Sequence, residues 1–444
     1  MASLRIYPKS VHGNVSMARD ESGRDVLLAA GEIRPLDHEA AAFLREKFPF
    51  TAPVPVLSRP RTIGVGDRLG IATPGHIRVF EEYDATPVLA QQSIRELNLT
   101  GRTYADVLDS VTFAVFREDF QRGFGADGDH LKRFEDVESA LKLGYTMITL
   151  DCSEHIHTGD ALAEIPQELR DRYLGKQFDI GEGISLRFEE ADLAKILHIY
   201  GEAIDFAAAV WKEFYEKRRA KADFEISIDE TATPTTPLQH FFAASELTLR
   251  GVRMATMAPR FCGEFQKGID YIGNLSQFDE EMRIHAAIAR HFGYKLSIHS
   301  GSDKFRVFPA IGRHTQGVFH VKTAGTNWLE AMRIVAEHDP ALYREIHTYA
   351  LSAFPEATKY YHVTTNLAQI PDVNAMGDAA LPELFDMNDA RQLIHITYGL
   401  ILNHGDFRTR LYRLCDERSE EYAQALQRHI GRHLSTLGVP KRSE

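Results

Sequence analysis

Very little in this chain is set aside for a membrane, a disulfide framework or a nucleic acid. No stretch of the 444 residues approaches the ~18 consecutive apolar residues of a membrane span. The opening residues, MASLRIYPKSVHGNV, lack the apolar core of a secretory signal. Cysteine is scarce: Cys152, Cys262 and Cys415 are spread over the whole length and make no disulfide framework. Positive charge is in deficit, with 51 Lys plus Arg against 63 Asp plus Glu and a net charge of -12. No basic block or aromatic-basic stripe offsets that, which argues against a nucleic-acid surface. No strand is followed by GxGxxG, GVGDRLG fails the spacing, and GxxxxGK[ST] is missing, so neither nucleotide-binding fingerprint applies. These absences lead us to expect a soluble, cytoplasmic protein with no membrane or nucleic-acid partner.

What the chain does contain is one unit used repeatedly: a run of β-formers, a polar or glycine-rich break, then a helix-patterned stretch. The clearest strand ends are RTIGVGDRLG (61–70), VTFAVFRED (111–119), YTMITLDCSEH (145–155), FEISIDET (224–231), VRMATMAPRF (252–261), KLSIHSGSDK (295–304) and GVFHVKTAGT (317–326), with a weaker YYHVTTN (360–366). Stretches such as VLAQQSIREL, FEDVESALKL and EEMRIHAAIARHF read as the intervening helices. About eight parallel βα units predict an α/β fold, a (β/α)8 TIM-like barrel, with an open doubly wound sheet as the competitor. We expect an N-terminal extension over 1–55, the barrel over 56–375 and a C-terminal helical segment over 376–444.

Strand parity then sorts the side chains, because successive residues face opposite sides. Leu296 and Ile298 share one side, leaving Ser297 and His299 on the other. By the same reasoning Ser227 and Asp229, Thr149 and Asp151, and His320 and Lys322 point into the barrel at C-terminal strand ends, where barrel enzymes place their chemistry. Asp229, His299 and His320 together supply a carboxylate and two imidazoles suited to one divalent ion, Zn, Ni or Mn. Each histidine could instead only hydrogen-bond within the barrel. Glu230, beside Asp229, is a fourth ligand, a proton acceptor or a solvent-exposed loop residue.

Three further segments are dense in polar residues. GFGADGDHLKRFEDVESAL (123–141) sets Asp127, Asp129, His130 and Lys132 before a helix, either as a cap and turn or as a site. APRFCGEFQKGIDYIG (258–273) brings Arg260, Glu264, Gln266, Lys267 and Asp270 to a buried strand end, costly unless an anion compensates. GDRLGIATPGHI (66–77) is a glycine-rich turn, or else its Asp67, Arg68 and His76 line the mouth of the first strand. CSEHIH makes a weak zinc motif, and the histidines of the C-terminal region read as surface or core.

Taken in order, GDRLGIATPGHI, SIREL with TGRT (93–103), GFGADGDHLK, SIDETATPTTPLQH (227–240), APRFCGEFQKGIDYIG, SIHSGSDKF and HVKTAGTNWLEA resemble the motif series of the tagaturonate/fructuronate epimerases of bacterial hexuronate catabolism. The resemblance spans residues from about 60 to 330. It implies a divalent-metal-dependent TIM-barrel enzyme interconverting D-tagaturonate and D-fructuronate, small-molecule hexuluronates. An acidic protein must hold such an anion with local cations, for which Arg260, Lys267, Lys304 and Lys322 are the candidates, with Ser300, Asp67, Arg68 and Asp151 completing the substrate-binding set. Glu230, Asp129 and Lys267 are the expected catalytic residues, with a carboxylate such as Glu230 or Asp129 taking and returning the hydroxyl proton. The stereocentre that differs lies β to the ketone, where plain enolisation cannot act, so metal-assisted retro-aldol cleavage and re-addition is one consistent route and a transient oxidation at that carbon is its rival. A metal-dependent sugar-acid aldolase or ketose/aldose isomerase would need nearly the same groups, and a non-catalytic sugar-acid sensor is a further alternative. A homo-oligomer is an allowed state.

Overall fold

The computed structural model describes residues 4–231, 233–323 and 325–443. Near the N-terminus, β1 (Arg5–Ile6), β2 (Val15–Arg19), β3 (Asp25–Ala29) and β4 (Glu32–Pro35) form an antiparallel sheet in that order. Then come β5 (Arg61–Val65), β6 (Thr86–Ser93), β7 (Gly125–Leu131) and β8 (Met147–Asp151), a small hairpin of β9 (Gln177–Asp179) and β10 (Ser185–Arg187), and β11 (Asp223–Ile228), β12 (Thr256–Pro259), β13 (Lys295–Ile298) and β14 (Phe319–Thr323). Apart from the hairpin, β5 to β14 pair in parallel and close into an eight-stranded barrel, β14 returning to β5. This is the expected (β/α)8 architecture, with most of the strands' apolar side chains in one core shared with the surrounding helices, while Val88 of β6 and Met147 of β8 cluster separately with Val56 and Leu57. Among the described residues no helix is long and apolar enough to cross a membrane.

Two strands differ from those read in the sequence. VTFAVFRED is not a strand but the end of a helix, Tyr104–Glu118, begun by a capping box between Thr103 and Asp106. Its run of β-formers has a packing cause. Val107, Leu108, Val111 and Val115 face the barrel core, while Phe113 and Phe116 face the N-terminal sheet, so the helix is apolar on both sides. The missing strands are β6, overlapping the stretch read as the helix VLAQQSIREL (88–97), and β7, read as a turn or a site. All eight residues of β6 are buried, including Gln91 and Gln92, and its helix starts only at Ile94, capped by Ser93. β7, GADGDHL, has few β-formers because its inward positions carry acids and its outward ones must be small. A Cβ on Gly128 would come within 3.0 Å of the Ala140 methyl on the adjoining helix. YYHVTTN forms no strand and lies along the barrel mouth, where Thr364 binds the Gln266 side chain.

The C-terminal helices, from Asn388–Ile396 to Ser419–Thr436, bury a second apolar cluster with helices Thr326–His338 and Pro340–Ala357. Polar groups are enclosed along with these cores, and several are histidines kept neutral. Burial pushes His285 and His76 down to about 4 and His433 down to about 3. An unfolded histidine takes up its proton near 6.5, whereas folded His285 resists until about 4. Between those values the unfolded state binds more protons, so stability is fully present above about pH 6.5 and falls as the pH drops toward 4. His285 bonds His240 between two outer helices, Nδ1 to Nδ1 at 2.8 Å, away from the barrel mouth. Thermal melts of His285→Gln should therefore lose less stability between pH 7 and 5 than the wild type; equal slopes would remove His285 from this account.

Candidate active site

The barrel interior is filled by a charged network rather than by aliphatic layers. Lys322 on β14 is 4 % exposed, and its ammonium meets Asp127 Oδ2 at 2.6 Å, Asp129 Oδ1, Glu225 Oε1 at 3.4 Å and the Thr149 hydroxyl at 2.7 Å. Glu225 on β11 also accepts from Thr149 at 3.1 Å and Thr256 at 2.6 Å, and meets His299 Nε2 at 2.7 Å. Burial alone would neutralise Lys322, but Asp127, Asp129 and Glu225 hold its pKa well above the usual range. Burial pushes Asp127 up to about 6, with Asp129 and Glu225 adding to the rise against the opposing pull of Lys322.

Above this floor, three potential metal-donor atoms converge. Those of His130, Asp229 and His299 all lie within 4.8 Å of one another. With metal–ligand bonds of about 2.0–2.2 Å, donors sit at most about 4.4 Å apart, so the set needs only a slight closure to share one ion. His299 Nδ1 lies 3.2 Å from Asp229 Oδ1, and the rings of His130 and His299 meet edge to face at 5.0 Å. Each imidazole is held from behind by a carboxylate: Glu225 on His299 Nε2, and Asp151 Oδ2 on His130 Nδ1 at 3.3 Å. Ser227 donates to Asp229 in the same way. Such outer carboxylates fix tautomer and ring orientation around metal-binding histidines. The buried His299 Nδ1 has no well-aligned hydrogen-bond partner, so the donor set fits a divalent ion. Although burial opposes protonation, Asp229 and Glu225 raise His299 to about 10, so without a metal a proton takes that place.

His130 enters this group through an irregularity. On β7, the three steps from Gly128 to Leu131 span only two steps of β8, from Ile148 to Leu150, and His130 itself takes a left-handed φ of 55°. The bulge lets Asp129 and His130, adjacent in sequence, both line the barrel mouth. Strict alternation would have sent one of them outward. Glu225, by contrast, shares the parity of Ser227 and Asp229 and was legible from FEISID. Gln91, Arg95 and Glu96 also line the mouth, and were hidden by reading β6 as helix.

Several expected roles change with this geometry. His320 does not join Asp229 and His299: it pairs in register with Thr62 and Ser297, one inward step (about 6.6 Å) deeper, and its Nδ1 meets Thr62 Oγ1 at 2.9 Å. Lys322 is no free anion clamp, because its charge is already balanced by acids. Lys304, fully buried, donates to the carbonyls of Gln266, Ile269 and Ser302 at 2.6–2.9 Å and pins two loops together. Arg260 donates to the Thr231 carbonyl and does not line the cavity. Asp67 caps the backbone N–H groups of Leu69, Gly70 and Ala72, while buried Arg68 binds Glu96 and the His395 carbonyl and stacks on Tyr398. Asp151 stands behind His130, its pKa brought down to about 2 by His130 and Ser153 against the effect of burial. Asp129, Glu230, Lys267 and Ser300 do line the mouth. A larger cavity, about 770 Å³, lies between the N-terminal sheet and the C-terminal helices, away from this chemistry.

A family model described as UxaE, tagaturonate epimerase, matches residues 9–437. A tagaturonate/fructuronate epimerase of Thermotoga maritima is 40% identical over 468 residues, covering 97% of this chain and 96% of that protein. The native crystal structure of the fructuronate-tagaturonate epimerase UxaE from Cohnella laeviribosi superposes with a TM-score of 0.95 at 48% identity, over 99% of this chain and 97% of that one. Its complex with one glycerol gives the same TM-score and identity over 98% and 97%.

The charged floor makes a direct prediction. Lys322→Met would leave three buried carboxylates around an apolar chain, a loss of about 3–5 kcal/mol. Denaturant unfolding at pH 7 should register it; a change below about 1 kcal/mol would mean the ammonium is not what balances those acids.

Proposed function

Since the chain belongs to the tagaturonate epimerase family, we propose that it interconverts D-tagaturonate and D-fructuronate by divalent-metal-assisted retro-aldol cleavage and re-addition at the barrel mouth. The observation carrying this reading is the His130, Asp229 and His299 donor set, each member oriented from behind by a carboxylate or hydroxyl. These three residues would hold one Zn, Ni or Mn ion. When bound, the ion supplies Lewis acidity toward the ketone and its neighbouring hydroxyl.

The rest of the chemistry falls to side chains. The inverted carbon lies β to the ketone and its C–H is not acidic, so enolisation cannot exchange its configuration. Taking the proton from the β-hydroxyl lets the bond between the α and β carbons break, its electrons moving toward the ketone as the β carbon becomes an aldehyde. That aldehyde turns its other face, the bond re-forms, and the proton returns to the new alkoxide. Atoms and electrons balance without an external oxidant or reductant. Glu230 at the mouth has no hydrogen bond or salt bridge among the described residues and serves as the proton acceptor. Asp129, on β7, two strands round the barrel from β11, and held by Lys322, offers a second carboxylate for the hydroxyl in its other orientation. A cytoplasmic setting accords with three buried, unpaired thiols.

Purified protein should convert tagaturonate to fructuronate and lose that activity with a chelator. His130→Ala and His299→Ala should each lose both turnover and bound metal by elemental analysis, whereas His320→Gln should retain the metal. Full metal occupancy in the first two variants would contradict the donor set, and accumulation of three-carbon products in place of the epimer would make the enzyme an aldolase.

A further inference from the structure

Two cations at the barrel mouth make no salt bridge among the described residues, although the carboxylates of Glu96 and Glu230 share the cavity with them and act on both. Arg95, two residues beyond the end of β6, makes no side-chain hydrogen bond or salt bridge among the described residues, and its guanidinium lies 4.8 Å over the Tyr361 ring. The Lys267 ammonium, on the loop after β12, has one hydrogen bond among the described residues, to Ser300 Oγ at 3.3 Å, and no salt bridge. The other candidate cations of this barrel are engaged by the protein itself: Lys322 by three acids, Lys304 by three carbonyls, Arg260 by Thr231. Burial, and then the nearby Arg95 charge, lower the Lys267 pKa against the opposing pull of Glu96 and Glu230. An anion between the two cations would offset their mutual repulsion.

We propose that Arg95, Lys267 and the Ser300 hydroxyl form the subsite for the terminal carboxylate of the substrate, placing the reacting end of an open-chain six-carbon acid over His130, Asp229 and His299. This rests on the epimerase reading and adds to it the residues that select an acid over a neutral ketose. All six groups line one cavity. Ser300 takes a left-handed φ of 49°, and it immediately follows His299, so the carboxylate and the reacting centre are gripped by adjacent residues. Lys267 is fixed by the C-terminal region: Gln392 donates to the Lys267 carbonyl at 3.2 Å and to Gln266 Oε1 at 3.0 Å, and Arg391 donates to the Gly268 carbonyl at 2.7 Å. Tyr361, under Arg95, is bonded to Tyr398 at 3.1 Å between hydroxyls. The helical segment after the barrel thus builds the acid-recognising wall of the site.

Calorimetric binding of galactonate, an open-chain six-carbon acid, and of galactitol, its neutral counterpart, tests the subsite without turnover. The metal-loaded wild type should bind galactonate at least tenfold more tightly than galactitol. Arg95→Leu and Lys267→Met should each weaken galactonate about 10- to 100-fold and leave galactitol unchanged, with Arg95→Lys recovering part of the loss. In kinetics on tagaturonate, the Arg95→Leu loss should appear mainly in KM. Unchanged galactonate affinity in both variants, or equal losses on acid and polyol, would overturn the subsite while leaving epimerisation intact. A wild type that binds galactonate as predicted but does not epimerise tagaturonate would instead overturn the reaction and keep the subsite.

Discussion

One ammonium group organises the active barrel. Lys322 lies among Asp127, Asp129 and Glu225, and each of those acids also does something else. Asp129 lines the mouth, Glu225 turns His299, and Asp127 accepts from Thr149. Three carboxylates at this depth could not all stay ionised without a cation among them, and an unpaired lysine there would be as costly. Their mutual compensation lets a barrel interior carry charge where other barrels pack Val, Ile and Leu. Metal-donor geometry then follows, because the acid that balances Lys322 also aims the His299 ring.

In the reading proposed above, the site divides into a reacting end and an anchoring end. His130, Asp229 and His299 stand over the charged floor, and Arg95 and Lys267 stand at the rim, against residues of the C-terminal helical segment. A protein of net charge -12 attracts no anion at a distance, so in the proposed reading recognition falls to cations that form no salt bridge within the fold. The paired lysines and arginines of the barrel are structural for that same reason.

How much of this was legible in the sequence depended on whether a strand behaved regularly. β8, β11, β13 and β14 alternate cleanly, and parity alone put Asp151, Asp229, His299 and Lys322 inside. Parity cannot give depth, so His320 was grouped with His299 although it lies a step lower on its strand. β7 escaped because glycines and acids replace β-formers there, and His130 escaped with it because a bulge breaks the alternation. The helix Tyr104–Glu118 read as a strand because it is apolar on both faces, which reflects where it is packed rather than what it is. Choosing among cations needed partner distances, and the motif series alone carried none.

The central claim is that inversion proceeds by breaking a carbon–carbon bond, with the hydrogen on the inverted carbon never leaving it. Tagaturonate deuterated at that carbon tests this most directly. Retro-aldol cleavage predicts complete retention of deuterium in fructuronate and no primary deuterium isotope effect on kcat/KM. A large primary effect, or loss of the label, would contradict the account and require a carbon–hydrogen bond to break instead.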